Sequence, residues 1–279
     1  MLAFTTDNGY LDGIVRGYRG ALITAAQYTN MTHCESLDDL KLQLASTDYG
    51  DILQGDTQPS VAAVRERLME RFVADFNYLL DNAGIDGPTA RFLEYVTVGY
   101  MIDNVVKVLL GTVKQRGGSG GGAKGNPAGS PPAAFGGDEQ IMEQCHPLGM
   151  FDALPALTVS MQGGSTLEEV YRTALVDTPL GNYFRDLLMD ASNGHQHQQR
   201  LEEQHVELIR GRLWRAYLED FARWCRERLD AATAAIMAEA LGAEADRRTI
   251  AITLNGVGVL QREQRLALYP RLGGLWELG

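Results

Sequence analysis

Two stretches of this chain carry the same apolar stripe, and that duplication limits what the chain can fold into more than any other feature. Val61, Val64, Leu68, Phe72, Phe76, Leu79 and Leu80 form the first stripe; 145 positions further on stand Val206, Ile209, Leu213, Tyr217, Phe221, Trp224 and Cys225. All seven positions stay apolar or aromatic under that single offset. Arg67 and Arg212 precede the leucines, and Asp75 and Asp220 precede the phenylalanines. Spacings of three and four keep one side of an α-helix turned to a core. At 1.5 Å per residue, Val61 to Leu80 would run about 30 Å. The two stretches are therefore expected to be superposable helices, each burying its stripe. Upstream of each, Ser36-Leu37-Asp38-Asp39 and Thr166-Leu167-Glu168-Glu169 place a capping hydroxyl three residues before an acid. An internal duplication of a helical module predicts an all-α fold of repeated modules.

The rest of the chain fits that frame. Leu11 to Ala26 reads as a first helix in which Gly13, Gly17 and Gly20 would let another backbone approach. A loop is expected from Thr29 to Cys34. The capped helices should end near Thr47-Asp48-Tyr49-Gly50, where glycine permits a left-handed turn, and near Val176-Asp177-Thr178-Pro179, where proline removes a donor. Further helices are expected from Thr89 to Val113 and from Ala243 to Leu254. The segment Gly117 to Gly137 (GGSGGGAKGNPAGSPPAAFGG) is low in complexity and reads as a flexible insertion; Ala191 to Gln204 reads as a polar loop.

Charge and cysteine content narrow the function classes. A net charge of −11 leaves a nucleic-acid role dependent on a segregated basic face. The arginines between Arg210 and Arg228 are interleaved with Glu207, Glu219, Asp220 and Glu227, which reads as a solvated face of i,i+4 pairs. Three distant cysteines, Cys34, Cys145 and Cys225, do not make a disulfide framework. The N-terminus lacks a signal-peptide pattern, and the apolar window Val96 to Val113 contains Asp103, Asn104 and Lys107, so a soluble cytosolic protein is expected.

No catalytic, cofactor or metal site is expected. Gly118 to Gly125 has Ala123 before Lys124 and Gly125 after it, so the glycine and hydroxyl of a phosphate loop are missing. His195, His197 and His205 with Glu202 and Glu203 lack metal-ligand spacing and read as a solvated loop. Cys145-His146 is adjacent in sequence, which does not make a nucleophile and base meet. Asp48-Tyr49 and Asp177-Thr178 read as turn residues.

A family resemblance rests on several collinear blocks. Gly9-Tyr10-Leu11-Asp12-Gly13, Cys34 to Leu42, Ser46-Thr47-Asp48-Tyr49-Gly50 and Tyr100-Met101-Ile102-Asp103-Asn104 belong to it. So do Cys145-His146-Pro147-Leu148-Gly149, Leu175 to Leu180 and Glu244-Ala245-Asp246-Arg247-Arg248. In these blocks, from about Asp7 to Gly273, the chain resembles the subunit d family of vacuolar-type proton-pumping ATPases, which has relatives in archaeal-type rotary ATPases. The resemblance implies an all-α funnel of three similar helical modules around a pseudo-threefold axis. Residues 1–116 would form the first module, 117–137 an insertion, and 138–279 the second module with the start of a third that is largely missing.

The resemblance also implies a non-catalytic peripheral subunit on the cytoplasmic face of vacuolar or other endomembranes. Its partners would be the proteolipid ring and the central-stalk subunits, with no nucleic acid, small-molecule substrate or cofactor. Two other readings remain open at this point: a free helical adaptor, and an enzyme using the histidine loop and Cys145.

Overall fold

The computed structural model describes residues 2–53, 60–84, 87–119, 138–162, 166–191 and 203–277. Among the described residues the regular structure is helical, with no β-strand. The chain forms two compact units that meet in sequence between Arg91 and Phe92.

The first unit contains α1 (Leu2–Ala21), α2 (Ala25–Thr32), α3 (Leu37–Leu44) and α4 (Val61–Asn82). The single helix expected to Ala26 is broken because Thr24 caps a new one. Thr24 accepts from the Gln27 amide, and Gln27 accepts in return from the Thr24 backbone. The expected loop at 29–34 is therefore helical as far as Thr32. Gly13, Gly17 and Gly20 do not serve close packing: a β-carbon on any of them would meet open space. Ser36 and Asp39 form the expected reciprocal cap of α3, with bonds of 3.1 and 3.2 Å. Gly50 has no left-handed backbone; its role is space, because a β-carbon there would press on the Ala45 backbone at 2.9 Å. A small core joins Leu44, Leu53 and Val64, flanked by Ile23, Met31, Leu40, Tyr49 and Leu68.

The second unit is built around three long helices: α5 (Pro88–Ser119, which begins just before the division), α10 (Glu203–Arg228) and α11 (Ala231–Gly256). Shorter elements close around them: α6 (Asp138–Glu143), a 3-10 turn Pro147–Gly149, α7 (Leu154–Gln162), α8 (Leu167–Val170), α9 (Gly181–Ala191) and α12 (Arg262–Leu266). Thr166 and Glu169 cap α8 as expected, and the helix then widens into a π turn, Tyr171–Leu175, closed by the Val176 amide on the Tyr171 carbonyl.

Over Pro88–Lys114, helix α5 is long and apolar enough to cross a membrane by length and composition alone. Its apolar side chains instead face protein: Ile102, Val105, Val106, Val108 and Leu109 are fully buried in the core of the second unit. Helix α11 begins a dozen residues earlier than the pattern at Ala243 suggests. Asp230 caps it by accepting from the Ala232 and Thr233 amides, and its first turns are alanine-rich, which favours helix without marking a face. The ends of the expected insertion and polar loop are helical instead, 117–119 in α5, Ala191 in α9 and 203–204 in α10; the remaining segments, 120–137 and 192–202, lie outside the described residues.

Candidate functional site

Four of the blocks that carry the resemblance, at 100–104, 145–149, 175–180 and 244–248, lie in the second unit, where α5, α10 and α11 are tied by polar groups inside an apolar core. Asn104, on α5, is fully buried. Its side-chain amide donates to the His146 carbonyl at 2.8 Å and accepts from the His146 backbone N–H at 2.7 Å. One side chain thus pairs with both backbone polar groups of the half-buried His146, whose N–H would otherwise be costly to leave unpaired. The His146 ring stacks on Tyr100 at 4.0 Å and its Nδ1 accepts from the Leu148 N–H at 3.1 Å, capping the 3-10 turn. Gly149 completes the clasp: a β-carbon there would collide with the Tyr100 carbonyl.

One residue along α5, Asp103 accepts from the Trp214 indole N–H at 3.1 Å. The Arg248 guanidinium lies over the same indole, 3.1 Å from the ring centre, and donates to Glu244 at 2.7 Å. Arg247 binds both Glu244 oxygens at 2.7 and 2.6 Å. Burial alone would raise the Glu244 carboxyl, but its two arginines outweigh that and hold it below its ordinary value. Burial lowers Arg248, with Glu244 opposing.

A second tie sits two turns further along α10. Tyr95 and Tyr183 both donate to Asp220, at 3.0 and 2.8 Å, and Arg223 pairs with the same carboxylate. Tyr95 stacks flat on Phe221 at 4.7 Å, while its carbonyl accepts from the Tyr217 hydroxyl at 2.8 Å. Burial and the Asp220 charge push the Tyr183 hydroxyl upward, and burial does the same for Tyr217. On α11, Asp246 accepts from the backbone N–H groups of Gly274 and Leu275, anchoring the last described turns.

Cys145 and His146 point to different partners. The Cys145 thiol donates to the Ile141 carbonyl at 3.4 Å, and burial raises it. Burial, then the Lys107 charge, lowers His146. Asp48-Tyr49 and Asp177-Thr178 are turn residues: the Tyr49 N–H reaches the Thr47 hydroxyl, and the Thr178 hydroxyl the Leu175 carbonyl. Glu203 and His205 lie in the first turn of α10; His195, His197 and Glu202 lie outside the described residues, as does most of Gly118 to Gly125. The expected i,i+4 face of α10 is present as Arg215–Glu219 at 3.0 Å, with Arg210–Glu207 at i,i+3. Sequence reading singled out Asp103 and the Glu244–Arg248 block, but not Trp214, whose partner lies 111 positions away.

The comparisons with known proteins cover the same residues and the chain around them. Residues 11–278 match the family described as ATP synthase (C/AC39) subunit. The chain belongs to this family. Among its curated members, V-type proton ATPase subunit d of Neurospora crassa is 40% identical over 100% of this chain and 68% of its own length. The subunit d1 of Arabidopsis thaliana is 38% identical over 100% of this chain and 70% of its own. The subunit d of Saccharomyces cerevisiae is 38% identical over 99% of this chain and 71% of its own.

Proposed function

We propose that the chain serves as subunit d of a V-type proton ATPase: a non-catalytic subunit on the cytoplasmic side of the proteolipid ring, coupling that ring to the central rotor stalk. The observation that carries this reading is the similarity along essentially the whole chain to proteins of that name, at 32% to 40% identity. A braced helical body suits a part that transmits torque, because ties such as Asn104–His146 and Asp103–Trp214 join segments distant in sequence. Residues 1–116 would be the first of the family's repeats and 138–279 the second with the start of a third, with 117–137 between them.

The test is to express the tagged chain in cells lacking their own subunit d. Co-purification with proteolipid and central-stalk subunits from membranes, with restored ATP-driven proton pumping, is the expected result. Recovery of the folded chain free of both partners would turn the reading toward a free helical adaptor.

A further inference from the structure

Between α10, α11 and the chain from 256 to 270 lies a cavity of about 560 Å³, inside the range of roughly 300–1,000 Å³ usual for small-molecule sites. Most of its wall is apolar, formed by Leu208, Gly211, Trp214, Ala251, Ile252 and Leu268. One side is not. Arg210, Arg247 and Arg248 line it, and Glu207 is the one carboxylate among the lining residues, in a chain of net charge −11.

These arginines have donors to spare. Arg210 gives Nη1 to Glu207 at 3.2 Å, while its Nε is buried without an acceptor. Glu244, behind the wall, has both oxygens occupied by three N–H bonds from Arg247 and Arg248. Arg247 Nη1 and the Arg248 Nη groups make no hydrogen bond among the described residues. A guanidinium presents a planar fork that matches a carboxylate or phosphate. A buried donor left unpaired favours any ligand that brings an acceptor to it.

We propose that this trough binds a single-chain amphipathic anion, with an acyl chain along the apolar wall and a carboxylate or phosphate headgroup on Arg210, Arg247 and Arg248. Each half alone is a poor ligand: a free anion meets only partly exposed arginines, where charge pairing is weak, and an uncharged tail leaves the donors unpaired. The inference stands apart from the role in a rotary ATPase, since it rests only on this cavity.

The experiment is isothermal titration of the full chain with dodecanoate and with lauroyl lysophosphatidate, each below its micelle concentration. Saturable one-to-one binding of at least one of them is expected, and which binds tighter distinguishes a free fatty acid from a lysophospholipid. Inorganic phosphate and uncharged monolauroylglycerol should bind at least about tenfold more weakly. Ala251→Phe, which fills the trough from an exposed helix position, and Arg210→Gln should each weaken the anion by about tenfold or more, with melting temperatures unchanged. Trp214 fluorescence should shift on binding in the parent and not in Ala251→Phe. Equal affinity in Ala251→Phe, equal binding of the uncharged analogue, or no saturable binding of either anion overturns the proposal. An acidic amphipathic helical peptide that binds where neither anion does would assign the trough to a protein helix instead, and also overturn it.

Discussion

Helices α4 and α10 carry the same stripe and bury it to different depths. Val206 is fully buried, whereas its counterpart Val61 is 73% exposed; Tyr217 is 5% exposed, and its counterpart Phe72 is 44%. Val64 and Phe76 are the buried members of the first stripe, while Ile209, Leu213, Phe221 and Cys225 are all buried in the second. The expectation that each helix buries its stripe therefore holds for α10 and, beyond Val64 and Phe76, fails for α4. The cause is the number of elements that cover each helix. In the second unit, α5, α9 and α11 surround α10, and rings from two helices interleave at Tyr95, Phe221 and Trp224. In the first unit, among the described residues, α4 meets α1 and a small core around Leu44 and Leu53. Periodicity marks the face a helix offers to a core; depth is set by how many neighbours arrive to cover it.

The sharpest way to break this comparison is to put a charge at equivalent positions. Val206→Asp strands a carboxylate in a dry core and should cost on the order of 4 kcal/mol or more. Val61→Asp sits at the exposed first turn of α4, where an acid suits the helix dipole, and should fall within about 0.5 kcal/mol of the parent. Tryptophans 214, 224 and 276 all lie in the second unit, so indole fluorescence during urea unfolding isolates that unit, while far-ultraviolet dichroism follows both. Similar losses at the two sites would mean that α4 is as deeply covered as α10.

Aromatic truncation gives the next largest contrast. Tyr217→Ala removes a buried ring together with its bond to the Tyr95 carbonyl, and should cost about 3–5 kcal/mol. Phe72→Ala, with its ring partly in solvent, should cost about 1 kcal/mol. A Tyr217→Ala loss below about 1 kcal/mol, read by the same unfolding curves, would remove α10 from the core.

Asn104→Ala tests why the second unit gathers so many partners round α10. It leaves the His146 N–H without its acceptor, while the His146 carbonyl keeps the Gly149 N–H at 2.9 Å, and should cost about 1–3 kcal/mol. Faster amide exchange confined to the 145–150 turn should accompany it. An unchanged exchange pattern would show that the clasp does not hold the turn.

What could be read in advance follows the range of the interaction. The capped starts of α3 and α8 depend on residues three apart, and both are where the hydroxyl–acid pattern puts them. The stripe of α10 was legible for the same reason. The start of α11 was not, because Ala231 to Ala240 offers no contrast between faces. Gly13, Gly17 and Gly20 misled, since small residues allow a close approach but do not summon a partner. The joint of Asp103, Trp214 and Arg248 links residues more than a hundred positions apart. Family resemblance picked out Asp103 and Arg248 as parts of separate blocks; only the fold brings them to one indole.

The smallest expected effect concerns pH, and it separates the two units because the group involved lies in the second. His146 is lowered by burial and by Lys107, with Asp103 pulling the other way and Tyr100 stacked on the ring. In the folded chain Nδ1 must stay unprotonated to accept from the Leu148 N–H. The unfolded chain therefore takes up a proton first as the solution is acidified. Stability from this group is full above the unfolded histidine value of about 6.5 and is lost as pH falls below it toward the lower folded value. Asparagine is a good capping residue without a titrating proton, so His146→Asn should keep the turn and drop this component. Melting temperatures of parent and variant, measured from neutral pH to about 5, should converge on acidification, because only the parent loses stability through this ring. Wider carboxylate effects act on both proteins alike and cancel in the difference. Two curves that run parallel across that window would mean that His146 is not held neutral by its place in the clasp.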